Sequence, residues 1–527
     1  MKKIFLSIAL LCFTVLGYAV NLTWQVQNLA YSNLKVVDVR QNTNGIYALM
    51  KIDYAGTNFN NGDSDRIYIV RYNTSGGIIS TFKYSYLQFA KQEPKTILLG
   101  NSGILYVLFT NTGTTGFKEY FVLKLNSTLT TELGLFSPNL GNVQREANFM
   151  RFADNNTSII LSTYKYLTNP TAYLAELTKI DLNGNQIWNY SINSGGSPSY
   201  IYDVKVKADR ILACGMKSIN GLKNIWAFSI SNLGQPNFEF TTSASGYANS
   251  ALELESDNLN NVYLCGLKYD NAAFQYLWYM NKLDSAGNLI WAKTHTPNPP
   301  FGGLNYNIYP LHMAIDSQNN LYYLGGTGSY SSKTRLLKLN SAGSQIWARV
   351  FNKTTAFTEA AFDLKVSSSN KIYAATSQSN GSSNMHLYQF DTNGNKLDED
   401  TCNVYPSKEM RLVGNSILVA GISKFGPIYV GALAKFDATP IRESNEMEGI
   451  NAERTMSFYP NPASAEISVE SSERISSWEI YNMIGKTVLK RQSDKDVNQE
   501  RINISALPKG IYLLSVNNNS AQKLIIE

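Results

Sequence analysis

The sequence predicts an all-β protein: a β-propeller of eight blades, or seven if one degenerate repeat is an insertion, closed by its own N-terminal strand and followed by a small Ig-like β-sandwich. Three observations carry this expectation. A phrase ending in a Gly-containing turn and an apolar strand recurs about every 50 residues, the spacing of propeller repeats. The segments around it alternate apolar and polar residues with the period of two that half-buried strands need. Beyond residue 454 the phrase stops, and short strands separated by Pro, Gly and Asn turns take over.

Composition sets the frame. The chain has 527 residues, 44% hydrophobic and only 16% charged, with 33 Tyr and 23 Phe, so it can fill a core and does not read as disordered. Length alone would suggest about three or four domains, unless repeats build one large one. Lys plus Arg number 46 against 40 for Asp plus Glu, a net charge of +6 spread without a basic block, which argues against a nucleic-acid partner.

Residues 1–19 read as a signal peptide. Lys2 and Lys3 precede the apolar run from Ile4 to Leu16, and Gly17 and Ala19 supply the small residues for cleavage after Ala19. A lipoprotein would use Cys12, but the bulky Leu11 stands where a small residue is wanted. No later stretch approaches the roughly 18 apolar residues of a spanning helix, so no transmembrane segment is expected in the mature chain. Cys214, Cys265 and Cys402 remain there. Cys214 and Cys265 fall at matching places in successive repeats, too far apart across packed sheets for a disulfide, and all three read as small buried hydrophobes.

Residues 20–438 form the repeat region. "TKIDLNGNQIW", "NKLDSAGNLIW" and "LKLNSAGSQIW" end at Trp188, Trp291 and Trp347, and "YQFDTNGNKL" keeps the turn without the Trp. The residues before the turns are Asn73, Asn126, Asp181, Ser231, Asp284, Asn340, Asp391 and Asp437. Each phrase follows an apolar run such as "NVYLCGL" or "NLYYLGG" and, before that, an alternating strand such as "ALELESD" or "FDLKVSS", giving four strands per unit. Gly supplies the positive φ of the tight turns, a simpler role than calcium binding. The last unit lacks a fourth strand, and "NLTWQV", with Trp24 at the Trp291 position, matches what is missing. The tryptophans read as wedges between blades. Their phrase is similar to repeats of pyrroloquinoline-quinone propellers, and closer to those of secreted bacterial propellers of unassigned activity. The calcium cluster of a quinoprotein site is not found, so no cofactor or metal is expected.

Residues 439–454 read as a polar linker and 455–527 as the second domain. There Tyr459, Pro460, Asn461 and Pro462, then Gly485 and Lys486 in "IYNMIGKTVLK", Gly510 and Tyr512 in "LPKGIYLLSV", and Lys523 in the terminal "KLIIE" resemble the type A C-terminal sorting domain of the Bacteroidota type IX secretion system. The resemblance implies a periplasmic passage, the type IX machinery as partner, and delivery to the outer-membrane surface or the medium.

Catalytic motifs are absent from the sequence. His295, His312 and His386 are scattered and read as structural, and the carboxylates show no informative pairing. The connections between strands two and three, and between successive blades, vary in length, while the other two sets are short. Those variable loops lie on one face, the expected ligand surface, with Phe274, Tyr276, Phe301 and Tyr306 as candidate contacts. Asp63 and Asp65 read as an exposed acidic loop. The function expected is a non-enzymatic glycan- or protein-binding propeller, with a polymer-degrading lyase or hydrolase sited on the axis as the alternative.

Overall fold

The computed structural model describes residues 21–28, 34–52, 67–84, 91–113, 115–137, 143–168, 171–192, 197–242, 249–270, 275–295, 311–327, 333–351, 358–379, 383–406, 410–414, 416–425, 428–437, 456–471, 475, 477–482, 487–492, 497, 499–517 and 522–527. The chain divides into two compact units, Met1–Ile441 and Arg442–Glu527.

Among the described residues the first unit consists of eight antiparallel sheets. Seven are four-stranded meanders in chain order, within 34–84, 91–136, 145–191, 199–241, 250–295, 311–351 and 358–402. The eighth is composite. Tyr405–Pro406 and Arg411–Val413 pair with Ser416–Phe425, Ile428–Asp437 follows, and Asn21–Asn28 adds the outer strand. Gln27 lies opposite Ala432, Trp24 opposite Lys435 and Leu22 opposite Phe436, with an irregularity between Leu22 and Trp24. The strand ending in His295 skips a residue in the same way, with Trp291 opposite Lys282 and Leu289 opposite Leu283. The N-terminal segment thus reproduces the outer strand of another repeat.

Burial explains the sequence patterns. Second strands such as Gly45–Ile52 and Leu105–Thr112 are buried along nearly their whole length, covered on both faces by neighbouring sheets. Outer strands such as Ile78–Tyr84 and Pro236–Thr241 are half exposed and alternate. Among the described residues, eight apolar clusters each join two successive sheets. One places Tyr373 and Leu387 of sheet seven against Ile417, Val419 and Phe436 of sheet eight. Another places Trp24, Leu418 and Leu433 of sheet eight against Leu34, Val36 and Met50 of sheet one, and so completes the circuit of a β-propeller. Burial of each such side chain contributes about 1.5–3 kcal/mol, so the circuit is held by many comparable contacts.

The repeated Lys, Trp and Gly act together between sheets. The indole N–H groups of Trp24, Trp188, Trp291 and Trp347 donate to the carbonyls of Thr74, Asn232, Ser341 and Thr392 in the last turn of the next sheet, at 2.7, 2.9, 3.2 and 3.0 Å. Lys179, Lys282 and Lys338 donate to three of the same carbonyls, at 3.0, 3.3 and 2.9 Å. The next turn's glycine lies against the indole. Gly234 has φ +82° and a Cβ there would stand 2.8 Å from the Trp188 ring, so both conformation and space demand glycine. In the turns themselves Asp181, Asp284 and Asp391 accept two backbone amides each, at 2.8–2.9 Å, which gives their carboxylates an internal use. Cys214, Cys265 and Cys402 are buried free thiols.

The second unit packs a three-stranded sheet, Met456–Tyr459, Glu466–Ser471 and Gln499–Asn503, against a four-stranded one of Thr487–Gln492, Ser477–Asn482, Gly510–Val516 and Gln522–Ile526. Ile467, Val469 and Ile502 meet Ile480, Leu514 and Leu524 in its own core.

Candidate axial binding site

The innermost strands share one local geometry. In sheets one to five and seven the pairing with the second strand skips a residue, at Val37, Lys95, Asn148, Tyr202, Leu252 and Phe362. The extra residue re-aims the strand, as a β-bulge does. The residue after the skip is Asp38, Thr96, Phe149, Asp203, Glu253 or Asp363, and His312 holds the matching register in sheet six. One place further on, Val39, Val204, Leu254, Met313 and Leu364 are buried in the clusters between sheets.

Four of these carboxylates clip one sheet to the next. Asp38 Oδ2 accepts the Ile97 amide at 3.1 Å, Asp203 Oδ2 that of Leu254 at 3.2 Å, Glu253 Oε2 that of Met313 at 2.7 Å and Asp363 Oδ2 that of Met410 at 2.6 Å. Asp38, Asp203 and Asp363 also accept the amide of their own following residue, at 2.7–2.9 Å. Asp38 and Asp363 are buried, Asp203 and Glu253 half-buried, and the amides satisfy their carboxylates.

Three of the matching positions converge. Glu253, His312 and Asp363 offer ligand atoms that all lie within 4.8 Å of one another. His312 Nδ1 stands 2.7 Å from Glu253 Oε1 and 4.0 Å from Asp363 Oδ1. Burial opposes both charges, yet Glu253 and Asp363 hold His312 above its ordinary pKa, while His312 and Lys365 hold the half-buried Glu253 below its own. The trio could coordinate a divalent cation, but Lys365 Nζ already sits 2.9 Å from Asp363 Oδ1 and would have to yield. Glu253 and His312 are within hydrogen-bond distance of each other, while Asp363 Oδ1 is beyond that reach of His312.

Two residues past the carboxylate position, cations predominate: Arg40, Arg151, Lys205, Lys365 and Arg411, with Glu255 the acid of the tier. Arg40 Nη1 and Arg411 Nη2 both meet Asp38 Oδ1, at 2.6 and 3.1 Å. Burial, reinforced by Arg411 and Arg151, outweighs Asp38 and brings the Arg40 guanidinium down to about 10, still charged at neutral pH. Lys205 lies 2.9 Å from Glu255; burial opposes its charge, but Asp203 and Glu255 raise its pKa. The innermost strands of sheets three to eight line an open cavity of about 810 Å³, with Asn148, Tyr202, Glu253, His312, Lys365 and Arg411 among its walls.

Where the innermost strands begin, on the variable-loop side, tyrosines gather. Tyr164 meets Tyr200 at 5.4 Å between ring centroids, Tyr173 meets Tyr166 at 5.1 Å and Tyr200 at 6.3 Å, and Tyr200 stacks on Tyr202 at 6.4 Å. Tyr202 is 42% exposed and also lines the cavity. Of the residues expected on this face, Tyr276 is half-buried and packs edge-on against Tyr269 at 5.0 Å. Phe274, Phe301 and Tyr306 lie outside the described residues, as do Asp63, Asp65 and the leader with Ala19.

Sequence reasoning saw the histidines as scattered and no informative pairing among the carboxylates; the structure brings His312, Glu253 and Asp363 together from matching positions on neighbouring sheets. A signal was present: "VVDVR", "YDVKV" and "FDLKV" repeat an acid and a base two residues apart, at Asp38 and Arg40, Asp203 and Lys205, and Asp363 and Lys365. The axial tyrosines had no comparable spacing.

In the second unit the sorting residues tie the start of the domain to its end. Tyr459 and Asn461 each precede a cis proline, Pro460 and Pro462. The Ile525 amide donates to Asn461 Oδ1 at 2.8 Å, and Ala463 exchanges backbone bonds with Ile525 and Glu527, each at 2.9 Å. Tyr512 donates to the Pro508 carbonyl at 2.8 Å; Gly510 and Lys523 lie in the paired strands, while Gly485 and Lys486 are outside the described residues. Residues 457–527 match the secretion system C-terminal sorting domain. The chain is type IX secretion cargo. It is exported to the cell surface or the extracellular space, and among the described residues no helix is long and apolar enough to cross a membrane.

Other similarities to this cargo protein are partial. Beta-agarase D of Zobellia galactanivorans is 29% identical over 119 residues, which is 21% of this chain and 24% of that protein, so the chain spans about a quarter of the relative it matches. The C-terminal WD40 domain of Sif2 aligns over 80% of this chain and 99% of its own, with 11% identity and a TM-score of 0.45. The β-propeller domain of the trilobed protease from Pyrococcus furiosus covers 66% of this chain and 96% of its own, with 8% identity and a TM-score of 0.38. These scores add nothing to the propeller assignment, which rests on the sheets and the clusters between them.

Proposed function

We propose that the exported protein is an eight-bladed propeller closed by its N-terminal strand and followed by an Ig-like sorting domain, and that it binds a glycan or protein ligand where the variable loops meet the axial cavity. The intended division is a leader at 1–19, the propeller at 20–438, a linker at 439–454 and the sorting domain at 455–527. The observation that carries the binding reading is the run of tyrosines from Tyr166 through Tyr173 and Tyr200 to Tyr202, which ends at the cavity. Tyrosine offers a flat apolar face with a polar tip, which suits sugar rings and protein surfaces alike.

Glycan-array and extract pull-down experiments with the propeller should identify a ligand, and Tyr202→Ala should weaken it about tenfold, which is about 1.4 kcal/mol. Affinity unchanged in that variant would remove this face from the reading. A hydrolase or lyase on the axis draws support from Glu253, His312 and Asp363 lying together. Turnover of a polysaccharide that is lost in Glu253→Gln would favour it. Against it, Glu253 Oε2 already holds the Met313 amide, so this acid has a structural task.

A further inference from the structure

We infer that a small pocket between sheets two and three, beside Tyr166 and Tyr173, takes the hydroxyl groups of an uncharged sugar unit, so that the ligand is a neutral glycan. This deepens the ligand-binding reading and rests on it. The pocket is open, has a volume of about 40 Å³ and is walled by Lys118 of sheet two and by Gln144, Arg145, Glu146, Tyr166 and Tyr173 in and beside sheet three. Such a space holds a few waters, which is room for a hydroxymethyl group or a pair of hydroxyls but not for a whole ring. The ring would lie on the tyrosines outside, where Tyr173 carries the aromatic run on to Tyr200 at 6.3 Å, and Tyr200 to Tyr202 at 6.4 Å.

Arg145 is the wall residue whose bonding the fold leaves incomplete. Its side chain is 3% exposed and Nε donates to Glu176 Oε2 at 2.8 Å, but Nη1 is buried without a partner. The other oxygen of Glu176 accepts from the Ser191 hydroxyl at 2.7 Å. An unmet buried donor is costly, and a ligand oxygen brought into the pocket is an acceptor for it. The charges around it are balanced. Lys118 Nζ lies 2.6 Å from Glu146 Oε2, Arg145 holds Glu176, and Lys95 stands between Glu146 at 3.2 Å and Glu93 at 3.6 Å. A hydroxyl donates and accepts at once, so it suits a wall of guanidinium and ammonium donors, a carboxylate acceptor and the Gln144 amide, which is both. Tyr164 at the same pocket is fixed, its hydroxyl accepting from Asn148 at 2.8 Å and donating to the Ile201 carbonyl at 3.0 Å, so this part of the aromatic wall is set before a ligand arrives.

The test titrates the full mature chain calorimetrically with neutral hexasaccharides of glucose, galactose, mannose and xylose, and with hexagalacturonate as the charged comparison, at low and high salt. At least one neutral probe should bind, with an affinity that salt changes by less than about twofold. Gln144→Ala keeps the backbone carbonyl that accepts the Tyr166 amide at 2.9 Å, and should weaken that probe about fivefold with the unfolding midpoint unchanged. Arg145→Lys keeps a charge beside Glu176 but loses the planar fork, and should weaken it at least as far. If Arg145→Lys does not fold, Gln144→Ala decides. Tighter binding of hexagalacturonate than of every neutral probe, or an affinity unchanged in Gln144→Ala, overturns the inference. If Tyr202→Ala weakens the probe while Gln144→Ala and Arg145→Lys leave it unchanged, the pocket fails and the ligand-binding reading stands. If no saccharide binds in any arm, the inference fails together with the glycan reading.

Discussion

His312 links sheets five, six and seven, with Nδ1 at 2.7 Å from Glu253 and 4.0 Å from Asp363, and Lys365 faces the same acids. Because its pKa is raised above 6.5 in the folded state, the charged imidazole contributes stability below that value, and the contribution fades as pH rises through the folded pKa. Glu253, lowered from 4.5, loses its contribution as pH falls through its folded pKa. The pair is therefore strongest between about pH 4.5 and 6.5. The melting-temperature gap between wild type and His312→Gln should be widest in that window and narrow toward pH 9. A gap independent of pH would show that His312 acts through packing alone. The position was readable as a repeat register, but the contact was not, because its partners lie 59 and 51 residues away along the chain.

Asn21–Asn28 shows how an element can be legible from its side chains. Trp24 carries the same indole bond to the next turn as Trp188, Trp291 and Trp347, and the same irregularity precedes it. The strand joins the two ends of the repeat region, so its loss opens the circuit rather than trimming an edge. Trp24 is 5% exposed, and Trp24→Ala should cost about 3–5 kcal/mol in denaturant unfolding. The corresponding truncation at Trp188, which is only part-buried within a continuous meander, should cost less. Equal costs would mean that closure has no special energetic weight. The innermost strands were legible only in part: "FDLKV" announced a strand by alternation, but its acid and base also serve the neighbouring sheet and the cavity.

At the scale of the molecule, folding and delivery reside in different stretches of chain. The second unit has its own core, with Ile467, Trp478, Ile480, Leu514 and Leu524 buried among one another. Deleting residues 457–527 should leave the propeller folded, with an unchanged far-ultraviolet spectrum, but retained in the periplasm when expressed in a type IX-competent host. Surface delivery of that truncated chain would show that another segment carries the export signal. The axial cavity belongs to this scale too, since its lining is drawn from sheets three to eight and no single repeat contains it.

The sequence by itself determined the strand periods, the turn glycines, the N-terminal strand's kinship with Trp291 and the sorting motif. Each of these is a local pattern, set by backbone conformation or by the burial of alternate side chains. Tertiary structure alone decided that Glu253 meets His312, that Asp38 holds both Arg40 and Arg411, and that the tyrosines run to the axis. Those contacts depend on which matching positions a closed circuit brings face to face, and distance through space is not written in distance along the chain.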